Sequence, residues 1–203
     1  TRNWQYFHPL SGDHIVEQAV HAIDWIGWAL RDKAPLRCWA VGGRQARPDL
    51  PETGNVFDHF SVTYEFEGGV RAYHMCRHWP NSPYDNTGFV TGSTGAMTIY
   101  PWNGKHVLEG ANPWKGTAAG NDMYQKEHDE LFTAIRSGLP VNDGAFMCNT
   151  TMLAIMGRMA AYTGQAVTWE QAMNSQENLN PGAWSFTDRP TPTVAIPGTT
   201  RLI

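Results

Sequence analysis

The chain has 203 residues, enough for one well-buried core, and its 15 Lys and Arg against 19 Asp and Glu give a net charge of −4. Because the cations are few and scattered, the composition excludes a phosphate-binding surface for nucleic acid. No apolar run reaches the roughly 18 residues of a membrane span. We therefore expect one globular domain, residues 1–203, with neither nucleic acid nor membrane as a partner. The first residues include no initiator Met and no signal-peptide segment, so the chain is expected to derive from a longer or processed product.

The first predicted element is a helix from Ser11 to Arg31, with Ser11 or Asp13 near its N-cap. Its apolar residues fill one half of the helical wheel. The other half contains no Lys or Arg and consists of His14, Glu17, Gln18, His21, Asp24, Trp25 and Trp28. A solvated helix face normally mixes both charge signs, so this face is predicted to line a cleft.

From Leu36 onward the apolar residues recur with a period of two, which predicts strands. The predicted segments are two hairpins on one antiparallel sheet, at 59–79 and 88–100, and a loop at 101–120 with a short strand at 105–108. Glycines at the turns support both hairpins.

The rest of the chain is predicted to be mostly helical. The expected elements are a helix at 122–137, a nearly all-apolar and therefore sandwiched helix at 146–163, a short helix at 169–173, and an extended arm at 190–201. An arm of this kind often crosses to a neighbouring subunit. The three cysteines, Cys38, Cys76 and Cys148, are far apart and are predicted to be buried thiols.

The strongest functional signal is a polar stripe on the first helix. His14, Glu17, His21 and Asp24 follow one another at intervals of three, four and three residues, about one turn apart on one face. A carboxylate one turn from an imidazole orients the ring and stabilises its cation, which makes His21 a candidate acid/base. Two alternatives stay open: the groups satisfy one another in a buried seam, or His14, Glu17 and His21 bind a divalent metal.

Two further candidates end the first predicted hairpin. Arg77 and His78 stand where a strand finishes, a position from which side chains reach a cleft and contact substrate hydroxyls. A strand end of mixed polarity is also ordinary surface, so this assignment is the weaker one.

The run SGDHIVEQAVHAIDW, residues 11–25, resembles the helix that opens the C-terminal domain of the glucose-fructose oxidoreductase / inositol dehydrogenase (Gfo/Idh/MocA) family. The family's acidic residue, His and Asp correspond to Glu17, His21 and Asp24. The segments VTGSTGA at 90–96 and QKEHDELFTAIRSGLP at 125–140 follow in the family's order. The resemblance implies an α+β domain with a large, mostly antiparallel sheet, helices on one face, and dimerisation through the other.

The resemblance also implies roles for the stripe. His21 would take the hydroxyl proton while hydride leaves the same carbon for a nicotinamide, and Glu17 would bind substrate hydroxyls or orient His21. Because they share this face of the helix, Asp24 and His14 are also expected to contact the substrate. The chain departs from the family where Glu17 replaces the usual Asp, where Gly12 and Asp13 replace a glycine pair, and where His14 is an additional imidazole.

In the family a Rossmann domain precedes this one and contributes a Lys from an E-K-P motif. Neither E-K-P nor a G-x-G-x-x-G turn occurs in these 203 residues. We therefore expect NAD or NADP to act in the full-length protein and none to bind this chain alone. The expected partners are a sugar or polyol substrate and further copies of the chain, as a homodimer or homotetramer through the sheet. The alternatives are a sugar lyase or glycosidase that uses transient oxidation or a bound metal, and a non-catalytic dimerisation module.

Overall fold

The structure is a computed structural model that describes residues 2–117, 122–180, 185, 190 and 192–203. Its α-helices are α1 (His8–Ser11), α2 (His14–Glu17), α3 (Val20–Ala29), α4 (Met123–Ser137), α5 (Gly144–Thr163) and α6 (Trp169–Met173). Its strands are β1 (Arg37–Gly43), β2 (His59–Glu65), β3 (Arg71–Arg77), β4 (Gly88–Thr91), β5 (Gly95–Ile99), β6 (Val107–Gly110), β7 (Trp114–Lys115) and β8 (Val167–Thr168). In the same part of the chain, no helix is long and apolar enough to cross a bilayer.

The chain divides into two compact units, one made of Thr1–Ser82 with Phe146–Ile203 and the other of Pro83–Ala145. Each unit carries a four-stranded antiparallel sheet. The strand order is β3-β2-β1-β8 in the first sheet and β4-β5-β6-β7 in the second. The α+β class is therefore confirmed, but the single large sheet is replaced by two smaller ones.

The inner face of the first sheet forms the core of the first unit. In the β2–β3 pair, Phe60 lies opposite Cys76 and Tyr64 opposite Ala72. Because side chains alternate across a strand, Phe60, Val62 and Tyr64 share one face, and all three are buried. The hairpin predicted at 59–79 is confirmed.

Helix α5 covers this inner face. The Tyr64 hydroxyl donates to the Leu153 carbonyl at 2.8 Å, and the Cys38 thiol lies 3.3 Å from the Met156 carbonyl oxygen. Gly157 permits the close approach, since a Cβ there would lie 2.9 Å from the Tyr64 hydroxyl oxygen. Most residues of α5 from Thr150 onward are buried, so the prediction of a sandwiched helix holds for its second half.

The opposite side of the first sheet, called the outer face below, exposes Val41, Tyr73 and Met75. Their side chains are 70%, 66% and 77% exposed. Exposed apolar side chains on one face of a sheet are typical of a contact surface. Dimerisation through this face stays a prediction.

The second unit corrects two predictions. The hairpin of β4 and β5 forms as expected, but it belongs to the second sheet and not to the first. The predicted loop at 101–120 contains β6, two residues later than the short strand expected at 105–108, and also β7, which the sequence did not predict. Gly110, one of the glycines that suggested a loop, instead allows close pairing, since a Cβ there would lie 2.3 Å from the Thr94 carbonyl oxygen.

The helix predicted from Ser11 to Arg31 is broken into α1, α2 and α3. Gly12 and Asp13 have positive φ angles, 72° and 78°, which no α-helix allows. A second break follows α2, where the His14 carbonyl accepts hydrogen bonds from the N–H groups of both Gln18 and Ala19, at 3.0 and 2.9 Å. This widened turn ends α2, and α3 starts at Val20.

The later helices agree with the sequence. The Asp122 carboxylate accepts from the N–H groups of Tyr124 and Gln125, and Gly138, with φ 66°, ends α4. Helix α6 begins with a capping box at Thr168. In the predicted arm, residues 192–203 pack on the core of their own unit through Val194, Ala195 and Leu202, while residue 191 lies outside the described residues.

The three cysteines differ in their surroundings. Cys38 is buried and Cys76 partly buried, whereas Cys148 is exposed. The prediction of three buried thiols is therefore wrong for Cys148. This residue lies in the first half of α5, where the helix is only partly covered.

Candidate active site

The four residues of the predicted stripe lie on both sides of the second helix break. His14, in α2, is buried, whereas Glu17, the last residue of α2, is exposed. His21, in the first turn of α3, is exposed as well, and Asp24 is half-buried. The structure therefore separates an inward-facing His14 from the solvent-exposed Glu17 and His21.

Asp24 lies close enough to His21 to interact with it electrostatically. Burial raises the pKa of the Asp24 carboxyl, and the Thr150 hydroxyl, the His21 imidazole and Trp28 partly oppose the rise. Asp24 thus remains within electrostatic range of His21, and both residues lie in α3, after the second break.

The metal alternative is not supported. Within residues 2–117, 122–180, 185, 190 and 192–203, no group of three or more His, Cys, Asp and Glu side chains is arranged to hold a metal ion. In particular, His14 turns inward to Asp13, whereas Glu17 and His21 face solvent.

Asp13 is a fully buried polar centre directly before α2. Its φ of 78° and ψ of 159° are ordinary for glycine and cost other residues about 1–3 kcal/mol. Oδ1 accepts from the main-chain N–H of His14 at 2.6 Å and lies 3.0 Å from His14 Nδ1. Oδ2 accepts from the Phe57 N–H at 2.8 Å and from the Tyr162 hydroxyl. These bonds offset the strain of the backbone.

Helix α5 holds the same bend through a second side chain. Arg158 is almost fully buried and donates to the Gly12 carbonyl at 3.2 Å. Its guanidinium also pairs with Glu177. Tyr162 and Arg158 stand one helical turn apart on α5, so one helix fixes both residues of the Gly12–Asp13 bend.

His14 connects this buried centre to the sheet. Its Nε2 lies 3.4 Å from the Cys76 sulfur, and its ring packs on Phe60 with centroids 5.1 Å apart. The His78 ring stacks on it, with centroids 4.7 Å apart and planes inclined by 16°. His14 is therefore held at both ring nitrogens and by two neighbouring rings.

His78 connects the buried His14 with the exposed Gln18. One of its ring nitrogens, Nε2, lies 3.1 Å from Gln18 Oε1, and its main-chain N–H donates to the Asp58 carbonyl at 2.8 Å. Burial, followed by the nearby His14 and Arg47, lowers the pKa of His78 to about 4. The imidazole is therefore uncharged at neutral pH and contacts the residue directly after Glu17.

Arg77 lies apart from this group. It pairs with His59 across β2 and β3, on the outer face, and its guanidinium carbon lies 5.6 Å from the centre of the Trp79 ring. Because neighbouring residues of a strand point to opposite faces, Arg77 and His78 are not brought together.

A second buried carboxylate, Asp58, organises the loop after β1. Its Oδ2 accepts from the N–H groups of Gln45, Ala46 and Arg47, at 2.6, 2.6 and 3.3 Å. Its Oδ1 lies 2.8 Å from His59 Nδ1 and accepts from the indole N–H of Trp79 at 2.9 Å. The chain thus contains two Asp–His pairs in which the Asp directly precedes the His.

Sequence reasoning missed the buried part of the site. Asp13 was predicted near an N-cap, and it does cap α2 through the N–H of His14, but its positive φ and its distant partners cannot be read from its identity. Tyr162 lies in a helix that reads as apolar, and Cys76 reaches His14 across 62 residues of sequence. The polar tip of Tyr162 on an otherwise apolar helix was the one available signal.

The described residues do not fit a dinucleotide. Both sheets are antiparallel, and no described strand leads through a glycine-rich turn into a helix whose N–H groups could hold a pyrophosphate.

Comparison with known proteins identifies the fold. Residues 1–98 match the family model described as GFO/IDH/MocA C-terminal domain. Solved structures with the same fold include an oxidoreductase from Thermotoga maritima, at TM-score 0.63 and 20% identity over 83% of this chain and 48% of that one. An aldose-aldose oxidoreductase from Caulobacter crescentus complexed with glycerol gives 0.61 and 19%, over 81% and 50%. An oxidoreductase from Agrobacterium radiobacter in complex with NAD+, L-tartaric acid and magnesium gives 0.55 and 13%, over 74% and 47%.

The chain spans about half the length of these solved structures, and at such identities the likeness establishes the fold alone. No curated protein matches the chain in sequence.

Proposed function

We propose that this chain is the substrate-binding half of an NAD(P)-dependent oxidoreductase that acts on a sugar or polyol, because residues 1–98 match the family model described as GFO/IDH/MocA C-terminal domain. The observation that carries the proposal is the exposed Glu17 and His21 on either side of a helix break. Both groups are accessible to a substrate, and residues 14–30 contain no Lys or Arg.

His21 is the proposed acid/base. Its imidazole accepts the proton of the substrate hydroxyl that is oxidised, and the half-buried Asp24 stabilises the resulting cation. General base catalysis of this kind contributes about 10² to 10⁴ in rate. Glu17 accepts hydrogen bonds from neighbouring substrate hydroxyls, and the longer side chain of Glu relative to Asp places its carboxylate further from the backbone.

His78 and His14 are proposed to take part in different ways. His78, held uncharged beside Gln18, donates to or accepts from a substrate hydroxyl. His14 is buried, so the direct substrate contact expected of it from the sequence becomes an indirect one through His78. Arg77, on the outer face, has no place in this substrate site.

Substrate binding tests the proposal. Ring signals of histidines labelled with ¹⁵N are followed by NMR during titration with a panel of polyols and aldoses. We expect the His21 signals to shift, and Glu17→Gln and His21→Ala to weaken binding about tenfold or more, a loss of about 1.4 kcal/mol. His128→Ala, which removes an exposed imidazole in α4, serves as the matched control and should leave binding unchanged. Equal affinities in all four proteins would contradict the assignment.

The cofactor is proposed to be NAD or NADP, bound by a nucleotide-binding domain and not by these residues. The chemistry it supplies is acceptance of the hydride. A fluorescence titration of this chain with NADH should therefore give no tight one-to-one binding, and a micromolar complex would overturn this division of roles.

The exposed outer face supports an additional role in assembly. Val41, Tyr73 and Met75 would be covered in a homodimer or homotetramer formed through the first sheet. Such an assembly leaves Glu17 and His21 free, because they lie on helices rather than on the outer face.

A further inference from the structure

The buried carboxylate of Asp13 lies at the inner end of a chain of contacts that reaches the proposed substrate site. We propose that Asp13 is a positioning residue that fixes the His14 imidazole, and through the stacked His78 ring sets the polar edge of the site beside Gln18 and Glu17. Its bearing on catalysis rests on the proposed function, whereas its effect on His14 does not.

The first step is the anchoring of Asp13 itself. Oδ2 receives the Phe57 N–H from the segment before β2 and the Tyr162 hydroxyl from α5, so two distant parts of the first unit hold the carboxylate. Arg158 holds the preceding carbonyl of Gly12 from the same helix. Because its Oδ2 is anchored in this way, the carboxylate presents Oδ1 to His14 in a fixed position.

The second step is the effect on His14. A carboxylate has acceptors only, so His14 Nδ1, 3.0 Å from Asp13 Oδ1, must carry a hydrogen. An uncharged His14 then has a free lone pair on Nε2, which accepts from the Cys76 thiol at 3.4 Å. Without the carboxylate, the more usual tautomer with hydrogen on Nε2 becomes available.

The Cys76–His14–Asp13 order also matches a nucleophile, its base and an orienting carboxylate. The surroundings exclude that role, because burial and the nearby Asp13 raise the pKa of the Cys76 thiol. A reactive cysteine needs a lowered pKa and access to solvent. The thiol therefore keeps its proton and serves as a donor that fixes the ring.

The third step passes from His14 to the surface. The His78 ring lies flat on His14, at 4.7 Å, and its Nε2 faces Gln18 at 3.1 Å. Gln18 is exposed and follows Glu17 directly. A movement of the His14 ring would therefore displace a group that borders the proposed substrate site.

The test is the ¹⁵N ring spectrum of the histidines in the intact chain. In the unsubstituted protein we expect His14 and His59 to carry hydrogen on Nδ1, because each lies next to a buried carboxylate. Asp13→Gly removes one carboxylate at a position where the backbone already has a glycine-like φ. His14 should then change tautomer and the His78 signals should shift, while His59 stays unchanged.

Asp58→Asn is the matched control, since it alters the second Asp–His pair and should affect His59 but not His14. Tyr162→Phe is a second variant that keeps the Asp13 carboxylate, so His14 should keep its hydrogen on Nδ1. A His14 with hydrogen on Nε2 in the unsubstituted protein would overturn the proposal. So would an unchanged His14 in Asp13→Gly, or a changed one in Tyr162→Phe.

Polyol titration separates this inference from the proposed function. If the unsubstituted chain binds a polyol and Asp13→Gly binds it at least about threefold more weakly, the positioning role is supported. Equal affinities would refute it while leaving the proposed function intact. If no polyol binds the unsubstituted chain, the proposed function fails, and the tautomer of His14 still decides whether Asp13 positions the ring.

Discussion

Asp58 illustrates how one buried carboxylate stabilises the first unit. Burial raises its pKa, but the hydrogen bonds from His59, Trp79 and the loop N–H groups outweigh that effect and lower the pKa to about 2. Because the folded pKa lies below the unfolded value of about 3.9, the stabilisation is present above pH 4 and is lost as the pH falls through about 2.

Asp58→Asn should lower the free energy of unfolding by about 2 kcal/mol at pH 7, since a neutral amide loses the charge-assisted hydrogen bonds that lower the pKa of the carboxyl. Its stability should also fall less steeply than that of the unsubstituted chain between pH 4 and 2. Urea unfolding across this range measures both effects. The exposed Asp49→Asn is the control and should change stability by less than about 0.5 kcal/mol. Equal losses in the two variants would refute the role given to Asp58.

The buried His74 makes the fold sensitive to acid at a higher pH than Asp58 does. Burial, followed by the nearby His14, lowers the pKa of His74 to about 4. The unfolded chain takes up this proton near pH 6.5 and the folded chain does not, so stability is lost as the pH falls from 6.5 towards 4.

His74→Leu should therefore reduce the acid sensitivity of the fold. Between pH 7 and pH 5 the variant should lose about 2 kcal/mol less free energy of unfolding than the unsubstituted protein. The reason is that it lacks the imidazole that takes up a proton in the unfolded chain only. Chemical unfolding at the two pH values gives the difference. His128→Gln, in an exposed position, should leave the pH dependence as it was. An unaltered slope in His74→Leu would show that His74 titrates normally.

Among single residues, the sequence singled out side chains near the surface but not the buried groups behind them, and the catalytic roles of the former stay predictions. Glu17, His21 and Asp24 follow from helical spacing and a family motif. Asp13 could not be assigned, because its role depends on a positive φ and on partners at Phe57 and Tyr162 that only the tertiary fold supplies.

Among the elements, the packing of helix α5 on the first sheet includes a close contact at Gly157. A Cβ on Gly157 would lie 2.9 Å from the Tyr64 hydroxyl oxygen and 3.1 Å from Val62 Cγ2. The Tyr64 hydroxyl cannot move away freely, because it donates to the Leu153 carbonyl.

Gly157→Ala should lower the free energy of unfolding by about 1–3 kcal/mol through overpacking, despite the better helix propensity of Ala. Thermal or urea unfolding measures the loss. Gly27→Ala, in α3, is the matched control and should cost less, because the nearest atom to a Cβ there is the Thr150 hydroxyl oxygen at the longer distance of 3.2 Å. A stabilised Gly157→Ala would contradict the packing described for α5.

The periodicity of apolar residues predicted where helices and strands occur, but it did not predict the breaks within them. The apolar pattern of residues 11–31 continues through both breaks, so it cannot reveal that Gly12 and Asp13 turn the chain or that the His14 carbonyl takes two donors. In the same way, β6 and β7 were obscured by glycines that read as loop signals.

For the molecule as a whole, we predict that copies of the chain associate through the outer face of the first sheet. Met75→Arg places a charge among these exposed apolar side chains, so it should convert a dimer or tetramer into single chains without changing the circular dichroism spectrum. Sedimentation velocity measures the change. Val70→Arg, at the turn next to β3, is the control and should leave the assembly intact. An unsubstituted chain that sediments as one copy would refute the assembly itself.

The sequence predicted the α+β class of the whole molecule, but not the division of its strands between two sheets. Hairpin signals and the family motif lead to an α+β fold, which the structure has. The assignment of β4 and β5 to a second sheet depends on their pairing with β6 and β7 and not on their own sequence.

The loop after β1 has one more consequence. Three consecutive N–H groups, of Gln45, Ala46 and Arg47, converge on Asp58 and form a concave anion receptor that the protein fills with its own side chain. Truncation by Asp58→Ala would empty this receptor, so millimolar formate should bind there and recover part of the lost stability. The loop would then bind a small carboxylate in place of the Asp58 side chain, and added formate would restore stability to the first unit of the variant.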